Sequence, residues 1–166
     1  MSRWDITACK KMKKIFCVVV LSLMALYVNA QYVNLGLPSG TKWKSYNESD
    51  LYNYDSAIKQ FGKDMPSVRQ WHELLDYCTW TWIGQGYLIT GSNGNNIVLP
   101  ASGYRSCDES ETRGEGSDGG YWIYSADYED LVWNLSFDES DKILEESDNP
   151  DFYNCLNFSI RLISSK

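Results

Sequence analysis

Two segments near the end of the chain alternate apolar and polar residues with a period of two. In "LVWNLSF" (131–137) the apolar residues are Leu131, Trp133, Leu135 and Phe137. In "CLNFSIRL" (155–162) they are Leu156, Phe158, Ile160 and Leu162. Successive side chains of a strand point to opposite faces, so the pattern predicts two strands that each bury one face. The polar residues predicted to face away from the core are Asn134, Ser136, Asn157, Ser159 and Arg161.

A helix is predicted over about 67–78, in "SVRQWHELLDYC". Ser67 and Gln70 form a capping box, which places the first helical residue at Val68. Four apolar residues at i, i+3, i+4 and i+7 then make one buried stripe. They are Trp71, Leu74, Leu75 and Cys78. His72, the only histidine, lies about 100° round the helix from Trp71, so we expect it on the surface and not paired with Cys78.

Other segments predict short strands and irregular connections. "GYLITGSNGNNIVLP" (86–100) reads as a hairpin with turn residues at 92–95, and "YVNLGLPSG" (32–40) as a short strand and a turn. Residues 44–64 are polar and predict irregular structure, 102–120 a mobile glycine-rich loop, and 138–151 an acidic connection. Strands, one principal helix and then more strands indicate the α+β class with mainly antiparallel short strands.

The first thirty residues have the composition of a secretory signal peptide. Four lysines between positions 10 and 14 precede the apolar run "IFCVVVLSLMAL", and Val28 and Ala30 supply small residues before a cleavage site. The run has about 12 residues, fewer than the roughly 20 that span a bilayer. We therefore expect a signal peptide over 1–30, a single domain over 31–166, and no membrane span after cleavage. The expected location is the periplasm, the cell surface or the extracellular space.

The predicted domain is strongly acidic. Residues 31–166 carry 10 Lys and Arg against 21 Asp and Glu, a net charge of −11. Such a charge repels phosphate backbones, so nucleic acid is excluded as a partner. Three cysteines remain after cleavage, Cys78, Cys107 and Cys155, and three disulfide pairings are open. None belongs to a C-x-x-C motif, so a zinc site is not expected.

Several segments in order resemble one family. "YVNLGLPSGTKW", "DMPSVRQWHELLDYCTW", "IVLPASGYR", "GGYWIYSA" and "FSIRLI" follow each other between residues 32 and 163. They resemble the Fibrobacter-type major paralogous domain of secreted bacterial proteins. The resemblance implies a C-type-lectin-like fold, which also carries the formylglycine-generating enzymes. A shared fold does not transmit a function.

The residues favour binding over catalysis. Trp133-Asn134 is similar to part of the calcium motif of true C-type lectins, but Leu135 replaces its aspartate, so no metal and no cofactor are expected. One alternative is an oxidase-type enzyme that would use Cys107 and Cys155 as copper ligands. A second alternative is a structural surface protein with no small ligand. With one histidine and no nucleophile motif, we expect no enzyme activity.

Aromatic side chains supply the candidate binding surface. Phe, Trp and Tyr make up 14% of the chain, and Trp and Tyr rings stack on sugars and on protein partners. We predict a secreted module that recognises a glycan or an extracellular protein through the loops at 102–130. The predicted contact residues are Tyr104, Arg105, Tyr121, Trp122, Tyr124 and Tyr128.

Overall fold

The computed structural model describes residues 31–125 and 131–164, and the chain from Tyr32 onward forms one compact unit. The predicted signal peptide over 1–30 lies outside the described residues. The helices are α1 (Tyr54–Gln60), α2 (Val68–Tyr77) and α3 (Pro150–Cys155), with a 3₁₀ turn at Gly62–Asp64. The strands are β1 (Tyr32–Asn34), β2 (Lys42–Lys44), β3 (Thr79–Trp82), β4 (Gly86–Thr90), β5 (Asn96–Pro100), β6 (Ser102–Ser106), β7 (Arg113–Glu115), β8 (Gly119–Ile123), β9 (Val132–Phe137), β10 (Lys142–Ser147), β11 (Leu156–Asn157) and β12 (Ile163–Ser164).

The strands form three sheets. The central sheet has the order β10-β9-β8-β6-β11, with β7 paired to β6. A second sheet has the order β1-β2-β12, and the third is the β3-β4-β5 meander. Among the described strand pairs only β6 and β8 are parallel, through Gly103 and Gly119. The fold is therefore mixed α+β with mostly antiparallel strands, as the sequence predicted.

Helix α2 begins at Val68 as its sequence predicted, and its predicted buried stripe is confirmed in part, because Leu75 and Cys78 are only half-buried. The capping box is present, with the Ser67 amide donating to Gln70 Oε1 at 2.8 Å. Trp71 and Leu74 are fully buried, and the Trp71 ring meets Trp43 edge-on at a centroid distance of 4.8 Å. His72 is exposed, which confirms it as a surface residue.

The central sheet separates two groups of buried side chains. The first cluster includes Trp43, Trp71, Leu74, Tyr87, Tyr121, Ile123 and Leu135. The second cluster includes Tyr54, Met65, Trp122, Val132, Phe158 and Ile160. On β8, Tyr121 and Ile123 belong to the first cluster and Trp122 to the second, because successive side chains of a strand point to opposite faces. Both faces of this sheet are therefore covered over part of its area.

The predictions for residues 131–137 and 155–162 are each wrong in one respect. On β9, Asn134 is 1% exposed where an outward polar residue was expected. Residues 155–162 do not form one strand: β11 ends at Asn157, and the chain then runs between sheets. There the Phe158 amide donates to Tyr52 O and the Ser159 amide to Gly120 O. Ser159 is consequently buried as well.

Arg161 is the largest departure from the predicted outward face. Its side chain is fully buried, and Nη1 donates to Lys44 O at 2.7 Å while Nη2 donates to Val98 O. Removal of the guanidinium from water lowers the pKa of Arg161 from its usual value. The residue therefore joins β2 to β5 from inside the protein, although the alternation placed it on the solvent side.

Three segments expected to be irregular contain regular structure. Helix α1 forms within 44–64, where Asn53 Oδ1 accepts the Ser56 amide as an N-cap. Strands β6 and β7 lie within 102–120, and β10 within 138–151. Gly103 explains how the glycine-rich segment pairs: its φ is +67°, and a Cβ there would lie 2.0 Å from Arg113 O. The glycines thus permit close strand contact instead of marking a loop.

Candidate functional site

An open groove of about 630 Å³ lies on the central sheet beside the second cluster. Its floor is one row of cross-strand partners, because Gly120 of β8 pairs with Ser136 of β9 and Ser136 pairs with Ile143 of β10. The apolar side chains of its walls are Tyr104, Leu156 and Phe158. The acidic residues of its lining are Asp118, Asp138, Asp141 and Glu145. We call this feature the acidic groove.

Small residues on the floor explain why the groove is open. Gly120 has no side chain and Ser136 has a short one, so two adjacent positions of the sheet leave space above them. The Phe158 ring uses part of that space, since a Cβ on Gly120 would come within 2.5 Å of it. Ile143 is 48% exposed at the outer end of the row. It therefore offers apolar surface to a ligand.

A disulfide fixes one wall of the groove. Cys107, just after β6, is bonded to Cys155 at the end of α3, with their Cα atoms 4.5 Å apart. The next residue, Leu156, pairs with Ser106 in the β11–β6 ladder. Of the three pairings that the sequence left open, the structure has Cys107–Cys155, and Cys78 is a free thiol. The wall is thus held by one covalent bond and a short ladder.

The groove carries negative charge without a cation in its lining. Its residues include four carboxylates and no Lys, Arg or His. In the described parts of the chain, the ion pairs are Lys44–Glu48, Arg105–Asp50 and Arg113–Glu109, and none involves a groove carboxylate. The ammonium of Lys142 lies instead over the ring of Tyr87, 4.6 Å from its centroid, in the direction of the first cluster. Lys142 still acts electrostatically on Asp138, whereas Asp118, Asp141 and Glu145 form no ion pair within the described residues.

Local hydrogen bonds orient two of these carboxylates. Asp138 Oδ1 accepts from the Ser140 amide and hydroxyl at 2.6 Å and from the Asp141 amide at 2.9 Å, in the turn between β9 and β10. These bonds to the charged form lower the pKa of Asp138. Glu145 Oε2 accepts from Ser136 Oγ at 2.8 Å and from Asn134 Nδ2 at 3.1 Å. Both carboxylates are thus held in place by hydrogen bonds, and those to Asp138 favour its ionised form.

The predicted contact residues separate into buried and accessible sets. Tyr121 and Trp122 are 0% exposed, so their predicted place on an open surface is wrong. They occupy β8 between the two clusters, where Tyr121 packs on Trp71 and Trp122 on Phe158. Aromatic content alone does not distinguish a binding surface from a core that needs large side chains. Tyr128 lies outside the described residues.

The other three predicted residues are partly buried and do not share one site. Tyr104 lines the acidic groove, 6.3 Å from Phe158 in ring centroids. Arg105, the next residue of β6, lines a polar cavity of about 290 Å³ and pairs with Asp50 at 3.4 Å. Tyr124 packs against the second cluster, and its amide donates to Pro66 O. Of the predicted set, Tyr104 is the residue that the structure places in the groove.

The remaining groove residues were missed because their sequence signal is weak. Ser136, Ile143 and Glu145 face the groove from the β9–β10 hairpin, whose second strand was interpreted as an acidic connection. The segment "KILEES" has one apolar residue on its groove face, which is too few to predict a strand by alternation. Gly120 has no signal of its own. A cross-strand register was needed to bring these residues into one row.

The described residues contain no cluster of side chains that could form a metal centre. Among these side chains, no three His, Cys, Asp or Glu residues could together hold a metal ion. Burial raises the pKa of the Cys78 thiol, which disfavours its nucleophilic thiolate form at neutral pH. Within 31–125 and 131–164, no helix has the length and apolar character required to cross a membrane.

Comparison with known proteins leaves the family open. No protein-family model matches the chain, and neither a curated protein nor a solved structure matches it significantly. The resemblance to the Fibrobacter-type major paralogous domain therefore stays a prediction from the segments quoted above.

Proposed function

We propose that the chain is an exported, non-catalytic binding module that recognises a glycan or another protein through the acidic groove. The observation that carries this proposal is the groove itself, which combines apolar side chains at Ile143 and in its walls with polar groups held by hydrogen bonds. Ligand sites commonly combine an apolar concave surface with a few placed polar groups. Tyr104 adds an aromatic wall of the kind that sugars and peptides contact.

Filling the groove tests this function. Ser136→Trp puts a large ring on its floor, whereas Thr81→Trp adds the same ring to an exposed position of β3 that does not line it. The wild type and both variants are compared on a glycan array and in pull-downs with extracellular proteins. Loss of a ligand with Ser136→Trp alone supports the proposal. Equal binding by all three proteins contradicts it, provided that circular dichroism shows them folded.

The disulfide supports export and argues against the oxidase alternative. Disulfides form in oxidising compartments, which include the periplasm and the extracellular space. Two sulfurs bonded to each other offer no thiolate to copper, which the oxidase alternative requires from Cys107 and Cys155. Mass spectrometry of the secreted chain tests export directly. A mature N-terminus at Gln31 is expected, and an unprocessed chain retained in the cytoplasm contradicts it.

We also propose a C-type-lectin-like fold and membership of the Fibrobacter-type family. The five ordered segments support both, and the mixed α+β architecture is compatible with them. An experimental structure superposed on C-type-lectin-like domains tests the fold. A different strand connectivity would remove both proposals and leave the binding function to be judged on the groove.

A further inference from the structure

Along β10 and the turn residue that precedes it, the groove face alternates acidic and apolar residues. Asp141, Ile143 and Glu145 follow each other at every second position, and all three line the groove. Residues two apart on a strand point to the same face, about 6.6 Å apart, so Asp141 and Glu145 lie about 13 Å apart in Cα with Ile143 between them. An extended peptide has the same period of two. This face therefore fits a ligand with charge, apolar group and charge at alternate positions.

The acidic residues of the groove decide whether the ligand carries positive or negative charge. Asp118 and Asp138 add to the acidic end of the groove, at positions that continue the Gly119–Phe137 pairing by one step. Four carboxylates outnumber the one ammonium that acts on them, that of Lys142 on Asp138, so an anionic segment would meet net repulsion. A second copy of this chain is disfavoured on the same ground, since the chain has a net charge of −7.

We infer that the acidic groove binds an extended, basic segment of a partner protein, with Lys or Arg on both sides of an apolar residue at alternate positions. This inference rests on the proposed function and names its ligand. The apolar side chain packs on Ile143, Leu156 and Phe158. The two cations meet Glu145 at one end and Asp141 with its acidic neighbours at the other. Prior hydrogen bonding of Glu145 and Asp138 reduces the entropy lost when the cations bind.

Capped pentapeptides provide the direct test. The probe is acetyl-Lys-Ser-Leu-Ser-Lys-amide, titrated into the full chain by calorimetry. Its first control is the Glu-Ser-Leu-Ser-Glu peptide, which reverses the charge. Its second control is Lys-Ser-Ser-Ser-Lys, which removes the apolar group. We expect the probe to bind at least tenfold more tightly than either control, and more weakly as salt screens the charges.

Neighbouring residues of β10 give a matched pair of variants. Glu145→Lys reverses a charge on the groove face, whereas Glu146→Lys makes the same change at the next position, on the other face. We expect Glu145→Lys to raise the Kd of the probe at least tenfold and Glu146→Lys to change that Kd less than threefold. If Glu145→Lys does not fold, Asp141→Lys makes the same test at an exposed turn position.

The outcomes separate this inference from the proposed function. No preference for the basic probe, or equal losses with Glu145→Lys and Glu146→Lys, overturns the inference. A neutral glycan that binds the wild type and is lost with Ser136→Trp would overturn the basic-peptide ligand while supporting a binding module. A ligand that binds the Ser136→Trp variant as tightly as the wild type would contradict the groove as the binding site, both in the proposed function and in this inference.

Discussion

Two adjacent rows of the central sheet use the same three strands and differ in the space above them. The closed row is Tyr121, Leu135 and Leu144, and the open row is Gly120, Ser136 and Ile143. The closed row lies under the first cluster, with Tyr121 and Leu135 at 0% exposure. The open row forms the floor of the acidic groove. The two rows point to opposite faces of the sheet, and along the open row exposure rises from Gly120, buried under the Phe158 ring, through half-buried Ser136 to Ile143 at 48%.

The largest expected effect comes from truncating one residue of each row. Leu135→Ala removes a fully buried side chain and leaves a cavity, so we expect a loss of about 4 kcal/mol in the free energy of unfolding. Ile143→Ala removes a side chain that is 48% exposed and should cost less than about 1 kcal/mol. Urea denaturation followed by tryptophan fluorescence measures both. Equal losses would mean that the groove is closed in solution.

Removing the disulfide that supports the wall of the open row should have the next largest effect. Cys107→Ser with Cys155→Ser releases a link across 48 residues of sequence, and we expect a loss of about 3 kcal/mol, mainly from greater entropy of the unfolded chain. Cys78→Ser is the matched control, because that thiol is unbonded. A double variant as stable as Cys78→Ser would show that the bond adds nothing to folding.

Arg161→Met should cost about 2 kcal/mol in the free energy of unfolding. Lys44 O and Val98 O would lose buried donors, while burial of an apolar side chain in place of a guanidinium offsets part of that loss. Arg105→Met is the control, since its ion pair with Asp50 is exposed and should cost less than about 0.5 kcal/mol. Thermal unfolding at one pH compares the two. Similar shifts in Tm would contradict a structural role for Arg161.

The smallest expected effect is a pH dependence at the rim of the open row. The pKa of Asp138 is lower in the folded chain than its ordinary value near 3.9, so its contribution to stability is present above that value and is lost as pH falls through the folded pKa. Asp138→Asn should therefore lower stability at pH 7 and have no effect once the carboxylate is protonated. Chemical denaturation at a series of pH values measures this, and a difference that grows toward low pH would contradict it.

Local patterns predicted the elements whose neighbours in sequence are also their partners in space. The α2 capping box and the Trp71–Leu74 stripe lie within one helix, and the β4–β5 hairpin is closed by the turn residues at 92–95. The β9 segment was found by its alternation, although Asn134 is buried instead of exposed. Alternation reports which residues share a face, but it does not report whether the opposite face is covered.

The candidate site was predicted only in part. Tyr104 was expected from its aromatic ring, and its place in the groove depends on contacts with Phe158, 54 residues later in the chain. Tyr121 and Trp122 had the same signal and are core residues. The floor of the groove joins β8, β9 and β10 by register, and its wall joins Cys107 to Cys155. None of these pairings has a signature within a short window of sequence.

The sequence by itself determined the α+β class, the position of α2, the acidic charge and the exposed place of His72. These properties follow from composition and from periods of 3.6 and 2, which act over a few residues. Only the tertiary structure decided that Arg161 is buried, that Cys107 is bonded to Cys155, and that Gly120, Ser136 and Ile143 form an open row. Each of these depends on which distant strand or segment covers a given face, and that is set by packing of the whole chain.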